Sequence, residues 1–228
     1  MSNILAYIPA AGESQRYRAA GYSIPKPWLN IRYHEMTARM VEHVRYRFPI
    51  NTHTVVGVQP KYMDLVPKEL NPFPIPQTIG QADTVYRFVK HCHSGKSIII
   101  ADCDMLLLTA DISRMIRYLE FYDVVIAVTQ TFDPNASRVD QVPHPQLVIE
   151  KEPISEWGIV GVRVFRDVSI LTSALEVTLE ECKAGGIEPY LSMAINHYPG
   201  LKFAHIVHDF VDWGTPDRLL ASGATIEG

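Results

Sequence analysis

The chain has 228 residues, 47% hydrophobic and 20% charged, with a formal net charge of −4. Such a balance describes a chain long enough to bury one large core, and excludes a disordered polymer or a broad basic face for nucleic acid. It leaves room for a local basic pocket that takes a small phosphorylated ligand.

The N-terminus shows no basic stretch followed by an apolar leader, and no run reaches the ~18–20 apolar residues of a membrane span. Cys92, Cys103 and Cys182 are odd in number and widely spaced, which suits free thiols in a reducing compartment. A soluble cytoplasmic protein without a nucleic-acid or membrane partner is expected.

Residues 4–9 form an apolar run that predicts a buried strand. Residues 10–27 hold too many Gly, Pro and charged residues for regular structure, and a loop of that length is usually functional. From Met36, the apolar positions Met36, Met40, Val41, Val44 and Phe48 follow one helical face. Residues 52–58 are β-branched and predict a strand, 61–66 a weak short helix, and Pro72, Pro74 and Pro76 an extended segment or loop. After Gly80, a helix carries Ala82, Val85, Phe88, Val89 and Cys92 on one side.

Residues 97–101 predict a strand ending in Asp102-Cys103-Asp104. A helix follows over 112–122, then a strand over 124–129 buried on both faces. Residues 130–146 read as a surface excursion. Strands are predicted over 146–150, 158–165 and 201–207, and helices over 167–183, 189–197 and 216–221, the last starting at Pro216. The alternation of strands and helices implies an α/β fold, one mainly parallel sheet with helices on both sides.

In such a sheet, ligands bind outside the carboxyl ends of the strands. Three segments fall there: the small-residue loop from Ala10 to Arg16, residues 77–83, and Asp102 to Asp104. Small residues let backbone N–H groups approach an anion, while Arg16 and the Pro-framed Lys26 could neutralise it. Asp102 and Asp104 suit a hard divalent cation shared with phosphate oxygens, or serve simply as turn residues. Asp212, on spacing alone, reads as part of a helix start rather than a ligand, and solvated charge is the usual fate of residues such as Arg16 and Lys26. His91, His93, His205 and His208 have spacings that point their rings apart, so no metal is assigned to them.

Together these segments resemble the sugar-1-phosphate nucleotidylyltransferases (NDP-sugar pyrophosphorylases) and the related phosphocholine cytidylyltransferases. The resemblance rests on motifs in order: Pro9-Ala-Ala-Gly12-Glu-Ser14-Gln-Arg16, Pro25-Lys26, Gln77 with Gly80-Gln-Ala82, Asp104, Glu150-Lys-Glu-Pro153, Gly161 to Phe165 and Asp212 to Pro216. It departs at Ser14, where the family has a second loop glycine, at Gln81 for threonine, and at the extra Glu152.

The resemblance implies a single nucleotidyltransferase domain over 1–228 with a Rossmann-like, GT-A-like three-layer sandwich around a mixed, mainly parallel sheet. Its nucleotide half spans about 1–130 and its acceptor half about 131–228. It implies Mg²⁺-dependent transfer of a nucleotide from an NTP to a sugar 1-phosphate, releasing pyrophosphate. Arg16 would meet the β- and γ-phosphates, Lys26 the α-phosphate and Lys151 the acceptor phosphate. Ala10, Ala11, Gly12, Ser14, Gln77 and Gly80 would bind the nucleotide. Glu150 and Gly161 would face the acceptor, and Asp104 and Asp212 would hold Mg²⁺, with Asp102 as an outer ligand.

The expected partners are a nucleoside triphosphate and a small phosphorylated acceptor, with a homo-oligomer left open. Alternatives are a CTP-dependent enzyme for phosphocholine or another amino phosphate, a GT-A-type glycosyltransferase, and a nucleotide-binding module without turnover. A glycosyltransferase would not need both Arg16 and Lys26.

Overall fold

The computed structural model describes residues 4–227. Its elements run β1 (Leu5–Pro9), α1 (Gln15–Ala19), β2 (Asn30–Tyr33), β3 (Met36–Arg39), α2 (Met40–Arg45), β4 (His53–Val58), β5 (Pro72–Pro74) and α3 (Gln81–Val89). Next come β6 (Ile98–Ala101), β7 (Met105–Leu107), α4 (Thr109–Tyr118), β8 (Val124–Gln130), β9 (Ser137–Val139), β10 (Val148–Glu150) and β11 (Trp157–Phe165). The chain ends with α5 (Val168–Gly185), α6 (Leu191–His197), β12 (Lys202–Ile206), β13 (Phe210–Asp212), α7 (Pro216–Ala221) and β14 (Thr225–Glu227).

The central sheet is mixed and mainly parallel. Strand β1 lies between β4 and β6, parallel to both, and β4 continues to β5. Strand β11 runs antiparallel to β6 and β8, and β8 pairs in parallel with β12. The apolar runs fill both faces because side chains alternate. Ala6, Ile8, Ile99 and Ala101 join a core with Met40, Val41, Ile112 and Met115. Tyr7, Ile98 and Ile100 join the opposite core, with Val85, Phe88, Leu171, Leu175 and Ile195. Three layers result.

Three local expectations are corrected. Met36 is not on a helix: residues 30–39 form the hairpin β2–β3, turning at His34 with φ 52°. The helical match of Met36 with Met40 is accidental, since α2 starts at Met40, where Glu42 Oε2 accepts from Arg39 N at 2.9 Å. The loop after β1 carries the short helix α1 and a 3₁₀ turn at Lys26–Trp28. The helix predicted over 112–122 spans Thr109–Tyr118. His205 is buried against Asp111, Nε2 to Oδ1 at 3.0 Å.

Candidate active site

Because β1 and β6 are parallel neighbours, the loops leaving their carboxyl ends lie side by side. The first holds Ala10 to Arg16 and the second Asp102 to Asp104. The third segment arrives through a strand pair: β13 runs antiparallel to β7 with Asp212 opposite Met105. Trp213 N then donates to Asp104 O at 2.8 Å, and Tyr17 Oη donates to Trp213 O at 2.6 Å. Residues from the two ends of the chain therefore border one cleft of about 870 Å³.

The loop after β1 is held open by its own polar groups. Ser14 adopts the left-handed conformation, φ 54° and ψ 36°, that glycine adopts at no steric cost. Its Oγ accepts from Lys26 N at 2.9 Å, so the serine fastens the Pro-Lys-Pro segment to the loop. Gln59 Nε2 donates to Ala11 O at 2.7 Å and to Glu13 Oε1 at 2.9 Å from the adjacent strand.

Lys26 Nζ lies 2.5 Å from Asp104 Oδ2, with only 19% and 16% of the two side chains exposed. Burial alone would lower the Lys26 pKa, but the Asp104 carboxylate outweighs it and holds the ammonium above its ordinary value. Asp212 is held at both oxygens: Oδ1 accepts from Gly214 N at 2.7 Å and Oδ2 from Arg218 Nη1 at 2.5 Å. Arg218 reaches on to Asp133 Oδ2 at 2.5 Å.

Gly214 marks where these groups meet. A Cβ there would lie 2.9 Å from Asp212 Oδ1, 3.5 Å from Asp104 Oδ2 and 3.9 Å from Arg16 Nη1. Two carboxylates and a guanidinium thus converge on a space that only glycine leaves clear. Among the described residues no group of three or more His, Cys, Asp or Glu could hold a metal unaided. Two carboxylates nevertheless fit Mg²⁺, which usually takes one or two and completes its shell with water and phosphate oxygens.

Asp102 is paired separately. Arg163 Nη1 lies 3.2 Å from both Asp102 oxygens, and Gln81 Nε2 donates to Oδ1 at 2.5 Å. Burial pushes the Asp102 carboxyl up, and the guanidinium opposes it. Asp102 borders the same cleft as Asp104, and its charge is balanced inside the fold by Arg163.

Ala10, Ala11, Gly12, Gln77 and Gly80 all border the cleft. Gly80 is required by contact: a Cβ would sit 2.7 Å from Pro189 O. The same carbonyl accepts from Ala82 N at 3.0 Å, joining this wall to residues 188–190. Glu150 and Lys151 border a second cleft of about 590 Å³, which shares Glu188 and Tyr190 with the first.

Glu150 Oε1 accepts from Ser137 Oγ at 2.6 Å and from Ser192 Oγ, and burial raises its carboxyl. Lys151, in the left-handed region at φ 56°, places Nζ on the Tyr190 hydroxyl and 4.5 Å from that ring's centre. Gly161 is buried elsewhere: its carbonyl accepts from Asp102 N at 2.7 Å, and Met105 fills the space beside it.

Sequence reasoning did not single out Arg163, Arg218, Glu188 or Tyr190. Arg163 carried a readable signal, being a charge within the apolar strand run of residues 159–165. Arg218 carried none, because exposed arginines on terminal helices are common.

A family model of the MobA-like NTP transferase domain matches residues 6–169. Similar solved structures include a nucleoside-diphosphate-sugar pyrophosphorylase from Vibrio cholerae RC9, at 21% identity and TM-score 0.71 over 95% of this chain and 98% of that one. A UTP-bound UGPase from Acinetobacter baumannii shares 20% identity at TM-score 0.72, covering 96% of this chain and 92% of that one. An inositol-1-phosphate CTP transferase from T. maritima shares 16% at TM-score 0.73, again covering 96% and 92%. These likenesses are of fold. No curated protein matches the sequence. With its segments meeting in one cleft and the family model covering most of its length, the chain belongs to the MobA-like NTP transferase domain family.

Proposed function

We propose that this nucleotidyltransferase joins an NTP to a sugar 1-phosphate and releases pyrophosphate, giving an NDP-sugar. The observation that supports this best is the convergence of Arg16, Asp104 and Asp212 around Gly214, with Lys26 paired to Asp104. An acceptor phosphate oxygen attacks the α-phosphorus, a new P–O bond forms, the bond to the β-phosphate bridging oxygen breaks, and pyrophosphate carries away that electron pair. Such chemistry is mostly positioning and charge neutralisation.

In this reading Lys26 leaves Asp104 for the α-phosphate, and Arg16 neutralises the departing pyrophosphate. Asp104 and Asp212 would hold Mg²⁺, which supplies further charge neutralisation to the triphosphate. The backbone from Ala10 to Gly12, Ser14, Gln77 and Gly80 holds the nucleotide, so residues 1–130 form the nucleotide half and 131–228 the acceptor half. Lys151 turns from Tyr190 to the acceptor phosphate, and Glu150 faces the acceptor's hydroxyls. Gly161 acts indirectly by giving its carbonyl to Asp102. Three unpaired cysteines and an NTP substrate support a cytoplasmic setting.

A second reading, a CTP-dependent enzyme for an amino-alcohol phosphate, is favoured by one feature. Tyr190 already holds an ammonium, that of Lys151, over its ring, and its hydroxyl donates to Glu188 at 2.5 Å. Pyrophosphate release with Mg²⁺ across four NTPs, several sugar 1-phosphates and amino-alcohol phosphates decides between them. A folded protein inert with every combination overturns both.

A further inference from the structure

Gln81 is the first residue of α3 and follows directly on the wall formed by residues 77–80. Its side chain lines the cleft, and its Nε2 donates to Asp102 Oδ1 at 2.5 Å. Asp102 is in turn held by Arg163 Nη1, 3.2 Å from each carboxylate oxygen, and Arg163 is only 4% exposed. A carboxylate paired with a buried guanidinium accepts hydrogen bonds and gives none, so the amide must turn its nitrogen inward. The carbonyl Oε1 is left as an acceptor with no protein partner among the described residues. It belongs to a residue that follows Gly80 of the proposed nucleobase wall and reaches Asp102 across the same cleft.

We infer that Gln81 is a specificity-determining residue whose Oε1 accepts a hydrogen bond from a donor on the nucleoside, while Asp102 and Arg163 are positioning residues that orient its amide. The inference rests on the proposed nucleotide site. The donor is either a ribose hydroxyl or an exocyclic base amine, which present the same chemistry to a carbonyl oxygen. A side chain built to accept from such a group favours ligands that carry it, because a ligand without it leaves the acceptor unpaired.

Calorimetric titration tests this without any acceptor. ATP, GTP, CTP and UTP, together with their 2′- and 3′-deoxy forms, are titrated in Mg²⁺ into the native protein, Gln81→Met and Asp102→Asn. Circular dichroism confirms that each variant folds. The native protein should prefer donor-bearing nucleotides by about tenfold, the scale of one hydrogen bond. Gln81→Met should bring that ratio near one, and Asp102→Asn should lower it at least threefold.

A ratio between ribo and deoxy forms identifies the hydroxyl, and one between CTP and UTP the amine. A native protein without preference, or a Gln81→Met variant that weakens all nucleotides by one common factor, overturns the inference. An unchanged ratio in Asp102→Asn overturns the positioning role. The proposed reaction fails separately, when selective nucleotide binding is intact but no acceptor yields pyrophosphate.

Discussion

The Lys26–Asp104 pair offers a way to separate folding from chemistry. With Nζ and Oδ2 at 2.5 Å and the side chains 19% and 16% exposed, each charge depends on the other for most of its solvation. Lys26→Met leaves a carboxylate without its cation, and Asp104→Asn leaves an ammonium in a shielded site. Removing one partner of a fully buried pair costs about 3–5 kcal/mol, and the residual exposure here lowers that to roughly 2–3 kcal/mol.

The double variant removes both charges and should cost only about 1 kcal/mol, because neither is left unpaired. With a urea slope of about 2 kcal/mol per molar, each single variant loses about 1 M in midpoint, and the double variant regains about half of that or more. Turnover should behave differently. Lys26 is assigned to the α-phosphate and Asp104 to the cation, so all three variants should release pyrophosphate about 10²–10³-fold more slowly. Stability that recovers without activity is the expected signature. Single variants costing under about 0.5 kcal/mol and adding independently would show that water already screens the pair. A double variant that regains turnover would remove both residues from the proposed mechanism.

Gly214→Ala places a Cβ 2.9 Å from Asp212 Oδ1, so pyrophosphate release should fall by about 10²-fold with the melting midpoint little changed. Ser14→Ala keeps the left-handed backbone but loses the bond from Lys26 N, and should cost about 1–2 kcal/mol in urea unfolding. Ser14→Gly also loses that bond but relieves the backbone, so it should be near neutral. Equal costs for the two would show that the left-handed backbone carries no strain, and no cost for Ser14→Ala that the hydroxyl contributes nothing.

The Asp133 carboxyl is held below its usual range, first by the hydrogen bond from Arg218. Its folded pKa is thus below the unfolded value of about 3.9. The resulting stability is present above that value and is lost as pH falls through the folded pKa. Asp133→Asn should flatten this part of the acid limb when urea midpoints are compared between pH 2 and 6.

The fold was legible where apolar runs alternate across a buried sheet, as in β1, β6 and β8. It was less so where pairing is long-range. Nothing local in Asn30–Tyr33 announces that β14, near the other end of the chain, will lie beside it. In the site, Arg16, Lys26, Asp104 and Asp212 were brought together by the order of motifs in the family resemblance, whereas their local spacing alone read as solvated charges or turn and helix-start residues. The partner of Asp102 was not legible, because an aspartate two residues from another looks the same whether a cation or an arginine balances it. That arginine, Arg163, reaches it from β11, 61 residues away.

Three carboxylates at and beside the cleft are paired with cations before any substrate arrives. Lys26 pairs with Asp104, Arg218 with Asp212, and Arg163 with Asp102. This lets the site fold without its ligands, and it constrains how they bind. Lys26 turning alone to a phosphate would leave Asp104 as a shielded, unpaired carboxylate, and a cation on Asp104 beside Lys26 would set an excess of positive charge against one carboxylate. Each exchange alone exposes an uncompensated charge, at a cost of several kcal/mol when solvent is excluded. Both together do not. The triphosphate and the divalent cation are therefore expected to enter as one complex, with each exchange of ion-pair partners making the other favourable. Arg163 and Asp102 take no part in this exchange, which suits a pair that orients Gln81 while the charges around it change hands.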